Sequence, residues 1–577
     1  MNRRSTALAA ALALAALLLP VRSVAVLLLG AAAPSLAQVA TGVWIFKGML
    51  LVHAVLVAVL ARYGPPAGAL WSVPRREAAP RAAPWERAAL LLLLGVAALL
   101  RLYDLGDGLW FDEIDTLVRY VRLPLGQIVA TFDSQNQHML YSVLARVSLA
   151  SFGESAWALR LPAALLGMAS VGALYWFASQ VTGRREALLA TALLTFSYHH
   201  IWFSQNARGY TGLLLWTLLG SGLFLRLIRE GEPRGWGTAA AYGASMALAL
   251  YTHATALLIV AAHVLIWVWL ALRARGRGAG RDALVPLVGF VLAGTFALQL
   301  YALVLPQFLD TLLQPTMEGV ATSWKDPFWF LSETVQVLAA GVPGGLLTVA
   351  VSLLVAAAGV VSYWRQDAAL AGIMLAPGLV TAAVLVAMEH NLWPRFFFFA
   401  AGFAVLIAVR GALALGGALL AGRGRAAAFA ALIVVAAGSA FTVPTAYHPK
   451  QDYHGAREFI RRVSAPADAV VTVDMSEYIY RRYLEPALSS RGAPPRGGCA
   501  GAQNHSCAGP GWLAVADARQ LSDIEARHPR TWLVYTFPTR LSAVYPDIWS
   551  RIESGYTTAA TFPGTVGGGT IVVKVNR

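Results

Sequence analysis

Three carboxylates fall within four positions, Asp112, Glu113 and Asp115, directly behind Trp110 and Phe111. They follow an apolar run, 88–103, long enough to cross most of a bilayer. Carboxylates cannot rest in hydrocarbon, so they belong at the membrane surface, with the aromatic pair at headgroup depth. A carboxylate there could act as a base toward a hydroxyl. The same residues could instead cap a helix, because a negative charge is stabilising at a helix N-terminus. For Asp115 the solvated or capping role is the expected one.

Other unusual polar residues fall at junctions expected on the same side. They are Asn136, Gln137 and His138; Glu154 and Arg160, which could pair at a span head; Ser204 through Tyr210, with Gln205 and Arg208; and Glu389 through Arg395. Arg208 and Arg395 could snorkel to the interface, or bind an anion through their planar forks. The opposite face carries only loop-type arginines. The asymmetry predicts one outward-facing site assembled from several junctions.

These residues need a scaffold. Of 577 residues, 58% are hydrophobic and 13% charged, whereas soluble domains carry about 25% charged residues. Apolar runs of spanning length recur through the first 445 positions. The fold class expected is a polytopic α-helical membrane protein with about thirteen spans. They run over 1–29, 43–60, 88–103, 157–181, 187–203, 211–227, 238–252, 256–272, 284–305, 346–364, 369–388, 396–413 and 426–443. Arginines gather in alternate junctions, which places the N-terminus inside and the C-terminus outside. The net charge of +15 follows from those junctions. Its scatter excludes a nucleic-acid face, which would gather basic residues on one soluble surface.

The domains expected are a transmembrane hairpin over 1–61, a Pro- and Arg-rich cytoplasmic linker over 62–87, a catalytic membrane domain over 88–445 and an extracytoplasmic α/β domain over 446–577. Residues 1–29 resemble a secretory signal, but the apolar stretch exceeds a signal core, so a retained hairpin is expected. Two amphipathic pieces, 113–128 and 139–152, should lie along the interface. In the last domain 453–463 reads as a helix, and 469–473, 531–537 and 570–575 as strands. Cys499 and Cys507, eight apart in a Gly-rich segment outside the cytoplasm, should form a disulfide. Only His505 lies near them, too few ligands for zinc. His199, His200, His253 and His263 fall on apolar or boundary stretches and read as packing residues. No cofactor or metal is expected.

Four blocks in order carry a resemblance. They are Trp110-Phe111-Asp112-Glu113, then Leu140-Tyr141-Ser142-Val143-Leu144 with Phe152-Gly153-Glu154-Ser155 and Leu159-Arg160-Leu161-Pro162, then Ser204-Gln205-Asn206-Ala207-Arg208-Gly209-Tyr210, and Trp393-Pro394-Arg395-Phe396. Together they resemble the C-type glycosyltransferases of the protein O-mannosyltransferase and lipid A aminoarabinose transferase superfamily, from about residue 88 to the C-terminus. The resemblance implies inverting transfer of a sugar from a polyprenyl-phosphate donor to a lipid, glycan or protein acceptor at the outer face of a plasma membrane. Asp112 matches the family's catalytic carboxylate. Glu113 would orient substrate hydroxyls, Arg208 and Arg395 would clamp the donor phosphate, and Asn136, Gln205 and Tyr210 would contact substrate. Relatives often carry a Lys or His followed by Pro-Pro-Leu where this chain has Gln137-His138-Met139-Leu140. His138 could replace that cation, or Asn136 could bond the phosphate neutrally. A glycolipid transporter is the alternative. It would place ionisable residues at mid-membrane and show internal repeats, and neither is evident. A scaffold anchoring the outer domain would need far fewer spans.

Overall fold

The computed structural model describes residues 3–65, 83–134, 136–229, 235–274, 282–313, 325–341, 345–420, 422–484 and 511–577. Cys499 and Cys507 lie outside these, as does most of the expected 62–87 linker.

The chain is a polytopic α-helical membrane protein. Among the described residues nine helices are long and apolar enough to span, or ten when the bent pair Arg3–Leu18 and Val21–Leu29 is one span. Three more of the thirteen expected spans have helices in place that fall short of that standard. Pro84–Leu102 carries charge at both ends, Trp236–Thr252 is short, and the expected 187–203 span is broken into Arg184–Thr195 and Tyr198–Ser204.

Two of these irregularities have readable causes. Residues 1–29 bend by 78°, because Pro20 has no N–H to continue the helical ladder. Lys47 Nζ donates to the freed Leu19 carbonyl at 2.8 Å. The break after Thr195 leaves carbonyls without intrahelical partners. Buried Arg101 donates to Leu194 O at 3.0 Å and Thr195 O at 3.2 Å, and its Nε to His200 Nδ1 at 3.1 Å. Ser170 Oγ meets the other His200 nitrogen at 2.8 Å. A cation at a helix C-terminus is favourable, so Arg101 makes an interrupted helix tolerable at membrane depth. His263 bridges Ser221 and Tyr242, the packing role expected of it.

Helix Tyr210–Ile228 is almost wholly buried and forms the centre of the bundle. Its neighbours approach closely through small residues, as membrane helices do. A methyl group added at Gly411 would strike the Val355 carbonyl of the facing helix.

The expected interfacial helix over 113–128 is three pieces: Phe111–Thr116, a π turn Leu117–Val121, and Leu125–Ile128 after Pro124. Such π turns recur at functional sites. Met139–Phe152 forms a single apolar helix, too short to cross.

Helix Tyr453–Val463 begins the C-terminal region, with Asp452 capping it through Gly455 N. Five strands follow, β1 Ala469–Thr472, β2 Gly511–Ala514, β3 Thr531–Tyr535, β4 Tyr556–Phe562 and β5 Ile571–Asn576. They pair in the order β2-β1-β3-β5-β4, with β1 parallel to β2 and β3, and β5 antiparallel to β3 and β4. β2 and β4 are additional to the three strands expected. Trp512, Trp532, Tyr453 and Tyr480 of this region share one apolar cluster with Leu109, Ile114 and Leu159. The sheet region and the 104–116 segment therefore pack as one body.

Candidate active site

The loop behind helix Pro84–Leu102 is pinned before it reaches the carboxylates. Trp110 Nε1 donates to Asn206 Oδ1 at 3.2 Å, and Phe111 N to Gln451 Oε1 at 3.0 Å. Helix Phe111–Thr116 then starts, and its three carboxylates diverge.

Glu113 is fully buried. Arg160 grips it with Nε on Oε1 at 2.8 Å and Nη2 on Oε2 at 2.6 Å. Ala207 N donates to Oε1 at 2.7 Å and Trp110 N to Oε2 at 3.3 Å. Burial opposes its ionisation, but the Arg160 charge and hydrogen bonds, nearby Lys450 and the Ala207 amide outweigh it and hold the pKa below the ordinary carboxylate value. Arg160 spends its other donors on the carbonyls of Leu105, Asp107 and Gly108. The expectation that Glu113 orients substrate hydroxyls is thereby corrected, since both its oxygens are taken inside the protein. So is the Glu154–Arg160 pairing, because Glu154 meets Arg122 at 2.7 Å.

Asp115 is also buried, not solvated. Its Oδ1 accepts from Tyr478 OH at 3.0 Å and its Oδ2 from Asn136 Nδ2 at 2.8 Å. Arg119 stands at 3.8 Å.

Asp112 makes no capping bond. Glu113, one residue on, reaches back to the N-cap amide instead. The Asp112 side chain retains 11% exposure, and Arg395 Nη1, 283 residues away, approaches Oδ2 at 3.2 Å. Arg395 lies over the Trp393 ring at 4.9 Å, and its Nε is buried without a partner.

Arg208 reaches the same helix one turn further on. Nη1 donates to Thr116 Oγ1 at 3.0 Å and Asn136 O at 2.8 Å, and Nη2 to Asn136 Oδ1 at 2.5 Å. His138 Nε2 stands 3.0 Å from Nη2. Arg208 is 2% exposed and its Nε has no partner. The groups around this guanidinium are neutral, whereas Arg160 and Arg395 each meet a carboxylate.

His138 does not fit the role of a replacement cation. Its Nδ1 accepts from Gly209 N at 2.8 Å and its Nε2 faces Arg208, so both nitrogens look at donors. Burial first, then Arg208, His253 and Arg395, push its pKa well below the ordinary value. Burial and the same two arginines lower His253 to about 3. A neutral imidazole accepts at one nitrogen only, so with Nδ1 taking the Gly209 amide the ring offers Arg208 no acceptor and adds no charge. Gln205 also turns inward, donating its amide to Tyr103 O. Tyr210 packs edge-on against His138 with ring centres 5.2 Å apart. Gln137 is buried with both amide atoms unpartnered. Among the described residues no group of three or more His, Cys, Asp or Glu side chains could hold a metal ion.

Residues beyond 446 complete the site's frame, and sequence reading offered no signal for them. Lys450 Nζ donates to Gln205 O at 2.7 Å and lies 5.1 Å from the Trp202 ring centre. Burial and Arg160, opposed by Glu113, bring its pKa down to about 7. Unfolded lysine keeps its proton to about 10.4, so between pH 7 and 10 the unfolded chain binds more protons. Stability from this group rises with pH through that window and is lost as pH falls to 7, by at most about 1.4 kcal/mol per pH unit. Thermal unfolding in detergent should show a wild-type midpoint rising from pH 7.5 to 9 relative to Lys450→Met. Parallel pH profiles would remove Lys450 as the source.

Residues 137–304 match the family model described as dolichyl-phosphate-mannose-protein mannosyltransferase. The match includes His138, Gln205, Arg208 and Tyr210 and stops short of Asp112 and Arg395. Among curated proteins no match was found. Of solved structures, ArnT from Cupriavidus metallidurans bound to undecaprenyl phosphate is 15% identical, with a TM-score of 0.49, over 86% of this chain and 98% of that one. The oligosaccharyltransferase AglB of Archaeoglobus fulgidus, with an inhibitory peptide and a dolichol-phosphate, is 14% identical, with a TM-score of 0.45, over 85% and 74%. The S. cerevisiae Pmt1-Pmt2 protein O-mannosyltransferase complex is 16% identical, with a TM-score of 0.34, over 43% and 36%. The family match takes in the second and third of the four motif blocks and leaves the first and fourth outside it.

Proposed function

We propose that this chain is a C-type glycosyltransferase that moves a sugar from a polyprenyl-phosphate donor to an envelope acceptor at the extracytoplasmic face of a bacterial plasma membrane. The observation that carries this reading is the buried Arg208 guanidinium. It has neutral partners only and an unpartnered Nε, and it reaches the helix whose Asp112 meets Arg395. A buried charge without a counter-charge is costly, and a donor phosphate would supply one. The family matched over 137–304 is described by a phosphate-linked prenol donor.

The chemistry assigned to these residues is a single displacement. The acceptor hydroxyl oxygen attacks the anomeric carbon, and the bond from that carbon to the phosphate oxygen breaks. Asp112 takes the hydroxyl proton. The polyprenyl phosphate leaves as a monoester, and Arg208 and Arg395 hold its growing charge, which is most stabilising where water is excluded. Attack opposite the leaving group inverts the anomeric centre. The described part of the sheet region after 446 packs against the segment that carries Asp112. Glu113, Gln205 and His138 shape the site from behind.

Purified protein given a radiolabelled polyprenyl-phosphate sugar and envelope extract should transfer label. Arg208→Lys keeps the charge but loses the planar fork, and should raise the KM for donor by about tenfold, as for one lost charge-assisted bond. An unchanged donor KM would remove Arg208 from the phosphate.

A further inference from the structure

A continuous line of hydrogen bonds joins the C-terminal region to Arg208. Tyr478 OH donates to Asp115 Oδ1 at 3.0 Å, Asn136 Nδ2 to Asp115 Oδ2 at 2.8 Å, and Arg208 Nη2 to Asn136 Oδ1 at 2.5 Å. Each link admits one polarity. A carboxylate only accepts and a guanidinium only donates, so the Asn136 amide between them can point only one way. Burial and the Asp115 carboxylate raise the Tyr478 pKa, which keeps the phenol protonated as a donor.

We infer that Tyr478 is a positioning residue for the donor phosphate, acting on Arg208 through Asp115 and Asn136. This rests on the reading of Arg208 given above. The mechanism is competition for Asp115. Arg119 stands 3.8 Å from the same Oδ1 that Tyr478 holds. Without the phenol, Asp115 can turn toward Arg119, Asn136 loses its anchor, and the fork of Arg208 loses the carbonyl oxygen that fixes its plane. The Tyr478 ring also packs on Phe111 with centres 5.8 Å apart, so a phenylalanine keeps the packing and removes only the hydroxyl.

The test compares Tyr478→Phe, Asn136→Ala, their double variant and Arg208→Lys in the full-length protein. It uses direct binding of undecaprenyl phosphate in detergent alongside donor and acceptor KM. Tyr478→Phe should weaken undecaprenyl phosphate binding and raise the donor KM by about five- to tenfold, one hydrogen bond to a charged group. Acceptor KM and melting temperature should stay at wild-type values. In the Asn136→Ala background the same change should add almost nothing, since the line is already cut. Additive effects, or equal shifts in donor and acceptor KM, would overturn the relay. If Arg208→Lys weakens binding and Tyr478→Phe does not, the relay falls and Arg208 keeps its role. If neither does, both fall.

Discussion

Asp112→Asn should lower sugar transfer by about 10²- to 10⁴-fold, the range for loss of a positioned general base, with melting temperature and undecaprenyl phosphate binding near wild type. The geometry makes the substitution clean. Asp112 is the second residue of helix Phe111–Thr116 yet makes no capping bond. Its contact with Arg395 engages Oδ2 at 3.2 Å. An asparagine oxygen can accept that same hydrogen bond, so Arg395 is still held. What the amide cannot do is take a proton from an attacking hydroxyl. Single-turnover transfer measured with bound donor separates the steps. Normal transfer would strike Asp112 from the mechanism. Normal affinity with lost transfer supports the base. Lost affinity with a normal single-turnover rate would make the residue a holder of Arg395 instead.

The chemistry of single residues was legible in the sequence where types and burial conflict. Carboxylates and lone arginines at the ends of apolar runs are expensive unless used, and this singled out Asp112, Arg208 and Arg395 from positions almost 300 apart. What could not be read was how each side chain spends its bonds. Asp112, Glu113 and Asp115 look alike in one dimension. In the fold one meets Arg395 at the edge of the site, one is locked onto Arg160, and one is strung between Tyr478 and Asn136. Helix phase separates them. A 100° step per residue sends neighbours to different faces, and which face meets which partner depends on tertiary packing. His138 illustrates the same limit, because its sequence position suggests a cation while burial, and then the charge of Arg208, lower its pKa.

The fold was legible to the extent that hydropathy governs it. Apolar runs gave the helices, and alternation with a helical stretch gave the mixed region after 446. Bends were missed where one residue decides them, as at Pro20, or where a distant partner permits them, as Arg101 does for the break after Thr195. Strands β2 and β4 escaped because both lie at the sheet's edges, one with only four residues and the other, Tyr-Thr-Thr-Ala-Ala-Thr-Phe, without apolar–polar alternation. Lys450 and Gln451 gave no signal at all. A lysine and a glutamine behind a last span read as surface, and only the packing of the sheet region onto 104–116 buries them.

Breaking the Glu113–Arg160 pair is the substitution expected to cost the most stability. Glu113→Gln or Arg160→Leu should each destabilise the protein by about 3–5 kcal/mol, because either leaves a buried charge without its counter-charge. Many buried pairs can be replaced together by apolar residues at little cost, and this one should resist that. Arg160 also closes the carbonyls of Leu105, Asp107 and Gly108, and Glu113 the amides of Trp110 and Ala207. The double variant Glu113→Leu/Arg160→Leu would leave all five backbone groups without these partners, three of them buried. It should therefore unfold at a temperature no higher than the single variants, though well above the value their summed effects would give, since the two side chains act as one unit. Thermal unfolding in detergent reads this directly. Transfer per folded molecule then separates support from chemistry. If Glu113 only holds the loop, Glu113→Gln protein that remains folded should still transfer sugar at a measurable rate. A variant with a wild-type melting temperature and no transfer would instead make Glu113 a direct contact of the substrate.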